Sequence, residues 1–150
     1  MKTRVSLLFV VLCFVSTLSF AADPHMGTWK LNEAKSKFAP GANKNHTVAY
    51  EAAGDSTKVT VDGIDGKGNP IHNEWTGKFD GKDYPVTGDP TSDSRSYKKV
   101  SDRTLVMTLK KDGKVTQTGH IVVAPDGKSR TVTTISAGDK SKSTAVYDKQ

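Results

Sequence analysis

Residues 71–81 read Ile71-His72-Asn73-Glu74-Trp75-Thr76-Gly77-Lys78-Phe79-Asp80-Gly81. Ile71, Asn73, Trp75, Gly77 and Phe79 fall on one face with period two, and His72, Glu74, Thr76 and Lys78 on the other. Successive side chains of a strand point to opposite sides of the sheet, so this pattern predicts a half-buried β-strand. It stops at an Asp-Gly pair. Gly takes positive φ freely and Asp tolerates it, which suits the tight turns that join twisted antiparallel strands. Asp-Gly recurs at 62–63, 65–66, 112–113 and 126–127, and each pair marks an expected turn.

Working outward, Thr57 to Val61 turns Val59 and Val61 to one side, and Thr104 to Lys110 does the same with Leu105, Met107 and Leu109. Further strand patterns cover 28–32, 46–51, 84–87, 94–100, 114–124, 129–136 and 143–149. About ten short strands, mostly at intervals of 8–15 residues, predict an all-β antiparallel meander. The one stretch with helical character is Asn32–Lys37. There Asn32 is placed to cap a short helical turn before Pro40-Gly41 ends it.

The chain has 150 residues, 35% hydrophobic and 25% charged, one Cys and a net charge of +6. The average conceals a division. Residues 1–21 contain Lys2 and Arg4, the apolar run Leu7 to Val15 and the exit Ser19-Phe20-Ala21, the layout of a secretory signal peptide. The run is shorter than the roughly 20 residues that a membrane-spanning helix requires. Cys13 lies inside it, so residues 22–150, the expected single mature domain, contain no Cys. Their apolar content falls to about 29% and their net charge to about +4. A disulfide scaffold and a thiol enzyme are thereby excluded, and periplasmic or extracellular localisation is expected. So few apolar side chains cannot cover both faces of a broad sheet. The sheet must curl into a barrel, or two small sheets must face each other.

Just after the leader stands Gly27-Thr28-Trp29-Lys30-Leu31-Asn32, then Ser36-Lys37-Phe38, and the chain ends Ser143-Thr144-Ala145-Val146-Tyr147-Asp148-Lys149-Gln150. Both ends resemble the calycin superfamily, the lipocalins and intracellular fatty-acid-binding proteins. These open with Gly-x-Trp, and the fatty-acid binders close with a Thr-Arg-Val-Tyr-Glu-like strand. The resemblance implies a closed, lipocalin-like up-and-down barrel of about 8–10 strands. Gly27, Trp29, Tyr147 and Lys149 would close it, with Trp29 plugging one end and Lys149 stacked over the indole. Two departures bear on function. The fatty-acid binders place an Arg two positions before the final Tyr, where Ala145 stands here. Residues 33–45, broken by Pro40 and Gly41, are also too short for the helical lid of those proteins.

On this frame the inward alternation nominates Tyr50, Asn73, Trp75, Phe79, Tyr97, Met107 and Gln117 as cavity lining. Inward amides beside Gly77 suit a small, polar-lined pocket, and a filled core is the alternative. The corresponding function is non-covalent binding of a small amphipathic or hydrophobic ligand. An alternative uses Arg95, Lys98, Lys99, Arg103, Lys110, Lys111 and Lys114 as a basic band for anionic envelope surfaces, without an internal ligand. With Tyr97 the one aromatic among them, nucleic acid is not an expected partner. His25, His46, His72 and His120 are scattered without Cys partners, and neither a metal nor a cofactor is expected. A Gly-x-Ser-x-Gly elbow and a phosphate loop are missing, so the expectation is a non-enzyme. An enzyme with a dispersed site is the third reading.

Overall fold

The structure, a computed structural model, describes residues 22–150. The leader read in residues 1–21 lies outside the described residues. Ten strands follow one another: β1 (Gly27–Lys37), β2 (Lys44–Ala53), β3 (Ser56–Ile64), β4 (Pro70–Gly77), β5 (Tyr84–Thr87), β6 (Ser94–Ser101), β7 (Thr104–Lys111), β8 (Lys114–Val123), β9 (Ser129–Ser136) and β10 (Lys142–Lys149). Each strand pairs antiparallel with its chain neighbour, and β1 also pairs with β10, so the sheet closes into a barrel. Closure leaves no free sheet edge. The expected meander is therefore the observed topology, and of the two packings open to so thin a sheet the chain adopts the barrel.

Asn32–Lys37 departs from expectation: the segment is strand, and no helix occurs among the described residues. Between the pairs Asn32↔Val146 and Lys37↔Thr144, β1 advances five residues while β10 advances two, which makes a large bulge. The Asn32 carbonyl accepts the Ser36 hydroxyl at 2.7 Å, and the Ser36 oxygen accepts the Val146 N–H at 2.9 Å. The local hydrogen-bonding capacity that suggests a helix cap serves a bulge instead, because pairing with β10 satisfies more backbone groups than one isolated turn.

The hairpin between β7 and β8 turns at Asp112 (φ 50°) and Gly113 (φ 74°), both left-handed as the Asp-Gly signal requires. Asp62-Gly63 is different. It lies within β3, opposite His72 and Ile71. Beside it β2 bulges between Asn45 and Thr47, and a Cβ on Gly63 would collide with the Lys44 carbonyl oxygen. This glycine admits a close backbone approach and makes no turn.

The barrel interior is filled at one end. Trp29, Val59, Trp75 and Leu105 are fully enclosed there. Trp75 meets Tyr97 edge-on at 4.8 Å, and Phe79 meets Tyr97 at 5.8 Å. Tyr84 covers Gly77 and stands edge-on to Trp75 at 5.7 Å, so the missing side chain of Gly77 is what admits the tyrosine ring.

Candidate functional site

The closed end brings the four predicted closing residues together. Gly27 has φ +104°, and a Cβ there would lie 3.1 Å from Lys149 Cε. Its absence lets Lys149 fold over Trp29, with Nζ 5.1 Å from the indole. The opposite contact escapes sequence reading. Arg130, 2% exposed, lies 4.7 Å from the Trp29 ring, 4.8 Å from Tyr50 and 5.0 Å from Tyr147. Its Nε and one terminal nitrogen have no hydrogen-bond partner, and the three aromatic faces take that place. His25 completes the plug. Its carbonyl accepts the Trp29 indole N–H at 2.9 Å, and its ring is buried edge-on to Phe79. Burial pushes the His25 imidazole down to about 4, helped by Arg130, Lys99 and Lys149 and opposed by Asp23.

The other end is open. A cavity of about 360 Å³ lies between the β1–β2, β5–β6 and β9–β10 loops and descends into the barrel. Phe38, Ile71, Leu109 and Val132 supply its apolar wall. Amides and hydroxyls supply much of the rest, including Asn73, Thr116, Gln117, Thr134, Ser136 and Ser143. At the wall between β4 and β6 sits Arg95, 5% exposed. One terminal nitrogen (Nη2) donates to Asn73 Oδ1 and to Asp89 Oδ2, each at 3.2 Å. The other (Nη1) reaches the Tyr97 hydroxyl only at 3.5 Å, and Nε has no partner.

Local sequence explains this arrangement. β5 is four residues long, contains Pro85, and pairs with each neighbour at only two positions. The side chains of Asn73, Arg95 and Asp89 tie β4 to β6 where the backbone ladder is short. Asp89 is held by its own loop, accepting the Thr91 N–H (2.9 Å), the Thr91 hydroxyl (2.7 Å) and the Ser92 hydroxyl (2.6 Å). Burial alone would raise the Asp89 pKa. The hydrogen bonds from Ser92 and Thr91 and the charge of Arg95 outweigh it and hold the carboxyl below its usual range.

Of the predicted lining, Asn73 and Gln117 face the cavity. Tyr50, Trp75, Phe79, Tyr97 and Met107 face inward too, but they pack together beneath it. Arg95 is a correction. The sequence suggests a place for it in the basic band, whereas Arg95 and Tyr97 both alternate inward on β6. The same alternation that places Tyr97 carries the missed signal. The remaining band is divided. Lys98 and Arg103 lie toward the β6–β7 turn and Lys111 and Lys114 at the β7–β8 turn, the opposite ends of β7, roughly 25 Å apart. Lys99 pairs with Asp23 at 2.8 Å and Lys110 with Asp83 at 2.6 Å.

A closed ten-stranded antiparallel meander, plugged at one end and hollow at the other, is also the fold of a solved fatty-acid-binding protein. A fatty-acid-binding protein from Schistosoma mansoni, solved in complex with arachidonic acid, superposes with a TM-score of 0.56 at 18% identity, covering 85% of this chain and 97% of that one. A redesigned β-barrel bound to DFHBI follows at a TM-score of 0.46 and 15% identity, covering 84% and 95%. No protein-family model matches the sequence, and a search of curated proteins finds no match. At these identities the likeness is one of fold.

Proposed function

We propose that this chain is an exported, soluble binding protein that holds a small amphipathic molecule non-covalently in the open-end cavity. One observation carries the reading. A cavity of about 360 Å³ opens at one end of the barrel, walled by Phe38, Leu109 and Val132 and by the amides and hydroxyls of Asn73, Gln117 and Thr134, a lining that matches a molecule with one apolar and one polar part. The volume falls at the small end of ligand sites, about 300–1,000 Å³. The fatty-acid-like alternative has less support, because Ala145 lines the cavity where the fatty-acid binders carry an Arg. Export rests on the leader pattern of residues 1–21.

Native mass spectrometry of protein recovered from the exported fraction tests both parts. The expected mass begins at Ala22 and includes a releasable small molecule, and ANS binds saturably once that molecule is removed. Val132→Trp, which fills the cavity from β9, should abolish both signals. An unprocessed chain would refute export. No retained molecule and no dye binding would refute the carrier.

A further inference from the structure

The charge balance of the cavity wall says what kind of molecule it takes. A guanidinium has five donors. In Arg95, Nη2 is committed to Asn73 and Asp89, Nη1 reaches Tyr97 at the limit of hydrogen-bond distance, and Nε, without a protein acceptor, is enclosed out of reach of the cavity. The group does not lack a counter-charge. Asp89 stands 3.2 Å away, with both partners' side chains under 10% exposed at 6% and 7%. Three donors of the Thr91–Ser92 turn, besides Arg95, fix the Asp89 carboxylate, so an incoming anion cannot easily displace it. The charged side chains lining the cavity are Arg95, Asp89 and Asp139, which sum to one negative charge. Arg130 is not among the lining residues, being enclosed by Trp29, Tyr50 and Tyr147. A carboxylate brought beside Arg95 would be a second anion on one cation, in a site that solvent screens poorly.

Resting on the carrier reading, we propose that the cavity selects ligands presenting a neutral hydrogen-bond acceptor, such as an amide, ester or hydroxyl oxygen, and discriminates against carboxylates. Asp89 supplies Arg95 with its internal counter-charge, and the amides and hydroxyls of β8–β10 hydrogen-bond the neutral head group. An apolar portion rests on Phe38, Leu109 and Val132. The preference is opposite to that of a carboxylate clamp.

Octanamide, octanoate and octylammonium share one chain and differ in the head. With the purified protein freed of co-purified molecules, titration calorimetry near pH 7 should show octanamide binding at least about ten-fold tighter than either ion. Lowering the pH from about 7 to about 5 should strengthen octanoate binding as the probe itself becomes neutral. D89N should improve octanoate binding about ten-fold at pH 7. The probe ranking in the unaltered protein needs no variant to fold. Octanoate or octylammonium binding as tightly as octanamide would overturn the inference, as would a folded D89N variant that gains nothing for octanoate. If no head group binds, the inference fails; the carrier reading fails with it only when dye binding and the native mass spectrum are also blank.

Discussion

Replacing Arg95 by Met tests whether the Arg95–Asp89 pair holds the β5–β6 loop to β6. At 3.2 Å and an effective dielectric constant of about 20, the attraction is roughly 5 kcal/mol gross. Desolvation of two groups this deeply buried cancels much of it, so the pair as a whole contributes little net stability. Breaking it from one side is another matter. R95M leaves the Asp89 carboxylate buried without its cation, a change that costs about 3–5 kcal/mol in comparable pairs. Asp89 keeps its bonds from Thr91 and Ser92, which places the expected loss near 3 kcal/mol. For a domain of about 130 residues that lowers Tm by roughly 10 °C. In D89N/R95M neither charge remains, and the double variant should recover about 2 kcal/mol relative to the sum of the single losses. Urea unfolding followed by tryptophan fluorescence and by circular dichroism gives all four free energies. An R95M loss below about 1 kcal/mol, or coupling below about 0.5 kcal/mol, would refute the reasoning. The pH dependence has a definite sign. The folded Asp89 pKa is depressed, so its contribution is present above the unfolded value, near 3.9, and disappears as pH falls through the folded one.

Other outcomes can be measured independently. His25 has a folded pKa of about 4 against an ordinary 6.5, so its contribution is complete above about pH 6.5 and declines toward pH 4. H25L should remove about 2–3 kcal/mol of that pH-dependent loss, and an unchanged stability slope over this interval would contradict the plug. G27A should cost about 1–3 kcal/mol, because φ +104° and the nearby Lys149 Cε both oppose a Cβ. K149A should restore only the steric part of it in chemical denaturation. S36A should cost about 1–2 kcal/mol by orphaning the Val146 N–H in the bulge; hydrogen exchange at that amide should quicken selectively.

Particular elements show how far the sequence speaks. The alternation in Ile71–Phe79 and Leu105–Leu109, with Asp-Gly at 112–113, announces strands and hairpins because period-two patterning and left-handed turns are local properties. Gly27, Trp29, Tyr147 and Lys149 are legible as a closure from the likeness of the two ends. Asn32–Lys37 misleads, since capping chemistry at Asn32 looks the same in a helical turn and in a bulge until β10 is present to pair with it. Gly63 misleads likewise, its collision partner being a carbonyl of β2.

The sequence by itself determined a meander of short antiparallel strands with one buried face, too lightly apolar for a broad open sheet. Those are properties of neighbouring residues. The tertiary structure alone decided what the interior contains: Arg130 among three aromatic rings at the plugged end, and Arg95 joined to Asp89 and Asn73 beside the cavity. Alternation with Tyr97 puts Arg95 on the inward face of β6, but no local pattern says what an inward arginine meets. Ring closure sets Arg130 of β9 among Trp29 of β1, Tyr50 of β2 and Tyr147 of β10, and the folded β5–β6 loop sets the Asp89 carboxylate beside Arg95, which makes both burials possible.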